Sequence, residues 1–168
     1  TDWLDEVTRT GMQQSHNVSL TGGSEKTQYA ASLNYFTQKG VVKNNAMDRF
    51  TMKVNLDQEL SKYIKTGFSL HLSRNQYDNS SLGDNDFENA GIISSAVRID
   101  PSVPVRDENG DYSIFPDMAQ YPNPISLLEV TDKTTSDRVL VNGYLQAEPI
   151  KGLTLKANLG VDRRYDKN

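Results

Sequence analysis

The chain has 168 residues, with 18 Lys and Arg against 22 Asp and Glu, a formal net charge of −4 and no Cys. Disulfides and Cys-ligated metals are thereby excluded, and the scattered cations make no basic stripe for nucleic acid. No apolar run approaches the roughly 20 residues of a transmembrane helix, a limit that leaves open a β-barrel, whose spans need only about 9–11 alternating residues.

The opening Thr1-Asp2-Trp3, with neither Met nor an apolar leader, reads as a processed chain or a piece of a longer one. A first predicted strand, 17–21, sets Val18 and Leu20 on one face and Asn17, Ser19 and Thr21 on the other. A turn through Gly22-Gly23-Ser24-Glu25-Lys26 leads to the second, 28–36, with Tyr29, Ala31, Leu33 and Tyr35 on its apolar face and Gln28, Ser32 and Asn34 opposite. Ala30 and Phe36 interrupt that polar side. The connection 38–48 carries Gly40 and Asn44-Asn45. The third strand, 49–57, alternates most cleanly, with Phe50, Met52, Val54 and Leu56 against Arg49, Thr51, Lys53 and Asn55. A short link, 58–62, joins it to the fourth strand, 64–74. After the long connection 77–136 come the last two strands, 138–148 and 153–163, joined through Pro149-Ile150-Lys151-Gly152.

The alternation alone fits two architectures. A soluble sandwich packs its apolar face on a second sheet, whereas a transmembrane barrel turns that face to lipid and its polar face to the lumen. The connections distinguish them, because antiparallel neighbours place alternate connections at opposite ends. Here the short turns fall at one end and both long connections at the other, as in outer-membrane barrels. The expected fold is all-β: antiparallel up-and-down strands forming part of a transmembrane barrel, with one long, partly helical extracellular loop. The alternative is a soluble extracellular glycan-binding β-sandwich, and a surface hydrolase fragment is a third reading.

Within the long connection, 87–99 has helical apolar spacing closed by Asp100-Pro101. The stretch 103–115 reads as a hairpin about Asn109-Gly110, and 125–130 as a short helical turn after the rigid Tyr121-Pro122-Asn123-Pro124. Asp107-Glu108-Asn109-Gly110-Asp111 lacks the calcium-loop spacing and reads as the hairpin turn. Asp84, Asp86 and Glu88 read as a solvated loop or a helix N-terminal bias. In water, a bare apolar sheet face would cost many kcal/mol at about 25 cal/mol per Å², so the helical piece at 92–97 or a second copy is expected to cover it.

Neither His16 nor His71 has catalytic neighbours at a telling spacing, and Gly22-Gly23 precedes no helix that would make a phosphate loop. No metal set or cofactor motif appears, and the chain reads as a non-enzyme. Arg49, Lys53, His71, Arg138 and Lys156 are expected to face the lumen. Tyr29 and Tyr35 fit either an interfacial girdle or cross-strand packing. Tyr112, Phe115 and Tyr121 are candidates for contact with substrate or a lid, or for the loop's own small core.

One ordered set of residues carries a family resemblance. Thr1-Asp2-Trp3, Asp5-Glu6, Arg9-Thr10-Gly11, His16-Asn17, Gly22-Gly23, Tyr35-Phe36, Gly40, Lys43-Asn44, Arg49 and Asn55-Leu56-Asp57 are followed by Asp100-Pro101, Pro104-Val105, Asn109-Gly110 and Asn123-Pro124. The run resembles the start of the barrel in the SusC/RagA family of TonB-linked outer-membrane proteins and covers essentially the whole chain. The resemblance implies a large barrel with an N-terminal plug in a Gram-negative outer membrane. It implies TonB-driven import of oligosaccharide or peptide, with a SusD-like surface lipoprotein as lid and outer-membrane lipid around the wall. The chain contains neither a plug nor a TonB box, so it is read as an early-barrel segment, with TonB reached through other parts of the parent.

Overall fold

The computed structural model describes residues 1–79, 91–115, 121–130 and 132–168. Six strands form one sheet: β1 (Met12–Gly23), β2 (Thr27–Lys39), β3 (Ala46–Ser61), β4 (Ile64–Asn79), β5 (Asp132–Ile150) and β6 (Leu153–Lys167). They run antiparallel in chain order. Three short helices accompany them: α1 (Trp3–Val7), α2 (Ile92–Arg98) and α3 (Pro124–Leu128).

The strands outrun their alternating stretches. β1 begins at Met12 rather than 17, and β5 runs from Asp132 rather than 138. The added residues, such as Gln13, Gln14, Thr134 and Thr135, are polar on both faces, and ladder pairing needs only backbone groups. At the first turn, the Ser24 hydroxyl accepts from the Lys26 and Thr27 amides at 3.3 and 3.2 Å. At the last, Gly152 takes a φ of 88°, which suits glycine, and its N–H donates to the Glu148 carboxylate at 2.8 Å. The strand order leaves turns 24–26, 62–63 and 151–152 at one end of the strands and connections 40–45 and 80–131 at the other, the sorting expected from sequence.

Cross-strand contacts fix the faces. Glu59 pairs with Lys65 at 3.2 Å, and the Tyr144 hydroxyl donates to Asp57 at 2.7 Å. Odd residues of β3 and β4 therefore share a face with even residues of β5. On the other face Arg74 holds Asp137, and Val139, Val141, Gly143 and Ala147 stand opposite Arg163, Val161, Leu159 and Leu155. Phe50, Met52, Val54 and Leu56 thus share a face with Phe68, Leu70, Val139, Val141, Leu155 and Leu159, while Lys53 points the opposite way.

The chain divides into two compact units. One is the sheet body, Gln14–Thr37, Asp48–Gln76 and Thr135–Asn168. Many of its large apolar side chains are exposed, from 38% at Leu56 to 83% at Leu159, while Met52, Val54, Leu70 and Val141 are half-buried. The other comprises Thr1–Gln13, Gln38–Met47 and Tyr77–Thr134 and holds the hydrophobic cluster of Trp3, Val7, Ile92, Ala96, Ile99 and Phe115. Trp3 meets Phe115 edge-on at 5.8 Å, and its indole N–H donates to the Asp100 carbonyl at 3.2 Å.

Caps hold the short helices. The Asp2 carboxylate accepts from the Asp5 amide at α1, and the Asn123 side chain accepts from the Ile125 amide at α3, where Pro124 takes the first helical position. Arg9 donates to the Gly40 and Asn45 carbonyls at 3.1 and 2.9 Å, fixing the 40–45 connection.

Two expectations change. The predicted helix 87–99 is observed as Ile92–Arg98; its start at Phe87, with Asp84, Asp86 and Glu88, lies outside the described residues. The expected cover of the sheet by this helix is not what its apolar residues provide: Ile92 and Ala96 are buried with Trp3 and Phe115, while the sheet's own apolar residues stay exposed.

Replacing Trp3 by Ala should open this cluster by about 3–5 kcal/mol. Hydrogen exchange on the intact protein should then show protection at 92–99 and 103–115 reduced by at least two orders of magnitude. Unchanged protection would show that the indole does not hold the unit together.

Candidate functional site

Strand alternation places Arg49, Lys53, His71, Arg138 and Lys156 on the polar face, as read from sequence. Arg49 lies over the Phe36 ring at 5.0 Å. Arg138 grips Asp162 through two hydrogen bonds of 2.9 and 2.5 Å. Lys156 sits over the Tyr144 ring at 4.2 Å. The side chains of Lys53 and His71 have no hydrogen bond or ion pair among the described residues.

The most specific arrangement on this face was not singled out from sequence. Tyr144 crosses β4 at Gly67 to reach Asp57 on β3. A Cβ at Gly67 would overlap both the Tyr144 ring and the Asp57 carboxylate, so glycine is what lets the phenol lie against the sheet. A glycine inside an alternating strand is a signal of such close approach. The recess beside it, about 390 Å³, is lined by Asn55, Asp57, Ser69, Asn142, Tyr144 and Asn158. Amides, a carboxylate and a phenol can hydrogen-bond hydroxyls or peptide groups. They make no nucleophile–base pair, and among the described residues no three His, Cys, Asp or Glu cluster as metal ligands.

The three aromatics of the long connection have different fates. Phe115 and Tyr121 are 7% and 5% exposed. Phe115 packs on Trp3, and Tyr121 lies under Arg98 at 5.1 Å while its hydroxyl accepts from that guanidinium. Neither presents a free ring face; this is the second alternative read from sequence, the loop's own small core. Tyr112 is only half-buried, with Arg106 over its ring at 4.2 Å and its hydroxyl donating to Glu129. That hydrogen bond raises the phenol above the ordinary tyrosine pKa.

The turn beneath Tyr112 accounts for Asp107. One carboxylate oxygen accepts from the Asn109 and Asp111 amides at 2.8 and 3.0 Å, Gly110 takes φ 86°, and Arg106 bridges Tyr112 across the hairpin. This is the hairpin read from Asn109-Gly110.

No family model matches the chain. TonB-dependent receptor P3 of Formosa agariphila is 34% identical over 95% of the chain. TonB-dependent receptor SusC of Bacteroides thetaiotaomicron is 34% identical over 67% of it. The RagAB peptide transporter structure matches 98% of the chain at 26% identity with a TM-score of 0.79. The chain is a relative of the SusC/RagA-type TonB-dependent receptors. It spans only 16% of the length of receptor P3 and 11% of SusC, and 19% of the matched RagAB chain. Its six strands are therefore a fragment of the TonB-dependent-receptor fold, and receptors of this family are outer-membrane transporters rather than enzymes.

Gly67→Ala should push Tyr144 off Asp57 and destabilise the sheet by about 1–3 kcal/mol, the scale of overpacking. Thermal unfolding of the purified intact receptor checks this, with Gly143→Ala as control because a Cβ there would approach only the Gly67 carbonyl, at 3.7 Å. Equal melting of the two variants would contradict the Gly67–Tyr144 joint.

Proposed function

We propose that this chain forms early wall of an outer-membrane importer that passes oligosaccharide or peptide by TonB-driven, gated transport beneath a SusD-like lipoprotein. The observation that carries the reading is the sheet body: its apolar face is exposed along every strand, while its polar face carries paired Arg, Lys, Asp and Tyr. A soluble sandwich would bury that apolar face on a second sheet, but the described hydrophobic cluster lies in the helical unit. The relatives' names give the direction of the function, SusC and RagAB standing for receptor-based uptake.

The segment acts as static wall. The chain matches the RagAB importer's closed–closed and open–open states with the same TM-score, 0.77. Arg49, Lys53, His71, Arg138 and Lys156 line the lumen or meet a plug. Tyr112 is the remaining aromatic candidate for substrate or lid contact, because Phe115 and Tyr121 serve the core.

The test is uptake of labelled oligosaccharide and of labelled peptide by cells carrying the intact receptor at normal surface abundance. Deleting the receptor should abolish uptake of one substrate class, and removing TonB energy should do the same. Tyr112→Ala should weaken apparent affinity about 2- to 5-fold, the scale of an exposed ring contact of about 0.5–1 kcal/mol. Undiminished uptake of both classes without the receptor would overturn the importer reading. Unchanged uptake and lid association in the Tyr112 variant would remove that residue from the mechanism.

A further inference from the structure

The sequence holds two Asn-Gly pairs, Asn109-Gly110 and Asn142-Gly143, and the fold gives them different backbones. Such a pair is chemically labile, because the peptide nitrogen of the following residue can attack the asparagine side chain, and glycine puts no Cβ in its way. Both asparagines are exposed, so access does not separate them.

Asn109-Gly110 is the tip of the hairpin. The Gly110 N–H donates to the Asp107 carbonyl at 3.0 Å, and the Asp107 carboxylate holds the amides on either side, those of Asn109 and Asp111. Arg106 donates to the Gly110 carbonyl at 2.8 Å. These contacts all lie within 106–111, so the tip is built by its own residues and does not depend on neighbouring strands. A Cβ at Gly110 would meet nothing within 4 Å, which leaves the tip room to turn.

Asn142-Gly143 lies inside β5, which is flanked by β4 and β6. Asn142 stands opposite Gly160 and Gly143 opposite Leu159, and the Asn142 side chain lies so close over Gly160 that a Cβ there would overlap it. Ring closure requires the asparagine backbone to rotate until its side-chain carbonyl carbon meets the next nitrogen. At the hairpin tip this rotation breaks one exposed hydrogen bond, and bonds of that kind open at little cost in free energy. In β5 it must undo pairing with a neighbouring strand, an opening that approaches global unfolding.

We propose that Asn109 is a site of spontaneous covalent modification, rearranging to aspartate and isoaspartate while the sheet keeps Asn142 intact. The Gly110 nitrogen gives up its proton and attacks the Asn109 Cγ. The N–Cγ bond forms, the Cγ–Nδ2 bond breaks, and Nδ2 leaves as ammonia with the added proton. Water then opens the cyclic imide at either carbonyl, one giving aspartate and the other isoaspartate, whose main chain runs through the former side chain. Both products place a new carboxylate beside Asp107, Glu108 and Asp111. The isoaspartyl form also lengthens the turn backbone by one methylene, so the Asp107 carboxylate cannot keep both of its amides. The turn that sets Arg106 over the Tyr112 ring then loosens. This chemistry belongs to the turn and is independent of the importer reading.

The test is peptide mapping by mass spectrometry of the intact receptor aged in mildly alkaline buffer, with isoaspartate labelled by an isoaspartyl methyltransferase. In the folded receptor the Asn109 peptide should show the mass of amide-to-acid exchange and take the label. It should convert at least about 100-fold faster than the Asn142 peptide, the ratio expected between a turn tip and a paired strand. Conversion should quicken as pH rises, because the attacking nitrogen must lose its proton. In denaturant the two peptides should convert at similar rates, which would assign the difference to the fold. Asn109→Gln should lose the label, since the larger imide ring closes far more slowly. An Asn109 peptide left unchanged in the folded receptor, under conditions that convert both peptides of the unfolded chain, would overturn the site. Equal conversion of Asn109 and Asn142 in the folded receptor, or labelling of the tip that persists in Asn109→Gln, would overturn it as well.

Discussion

The two-residue period of an extended backbone is the constraint on which this molecule depends. Every second side chain faces the same way, and between adjacent strands the backbone N–H and C=O groups pair across the ladder. In a bilayer that partnering is obligatory, because no water is present to satisfy a free peptide group. A sheet continued by neighbours on both sides can therefore expose Phe50, Leu56, Phe68 and Leu159 without a hydrophobic core of its own. A soluble protein with the same residues exposed would present an extended apolar patch and associate. The absence of sheet-body residues from the hydrophobic cluster follows from this division.

The small helical unit obeys the opposite rule. Its elements are too short to be stable alone, and they hold together through burial of Trp3 against Phe115, Ile92 and Ile99 and through specific caps at Asp2 and Asn123. One chain thus uses both solutions to the cost of apolar surface. The helical unit removes it from water by packing, and in the proposed wall the sheet gives it to lipid.

Alternation made most of the sheet legible, because a strand with one apolar face writes its register directly into residues such as 50–56. Strand ends were less legible, since at 13–16 and 132–137 both faces are polar and pairing rests on the backbone alone. The aromatics of the long connection stayed ambiguous for a related reason: an aromatic in a loop looks the same whether it offers its ring to a ligand or fills a core. Only the positions of Trp3 and Arg98 separate Phe115 and Tyr121 from Tyr112. The Asp57–Tyr144 contact joins residues far apart in sequence across an intervening strand, a relation no local pattern records, although Gly67 within its strand was a visible sign.

The central claim is that the odd and even residues of one strand meet different solvents. Spin labels placed singly at positions 50 to 56 of the intact receptor in lipid bilayers measure this directly. The account predicts oxygen accessibility that alternates with period two, high at 50, 52, 54 and 56 and low at 51, 53 and 55. Flat accessibility along the strand, or the opposite phase, would contradict it.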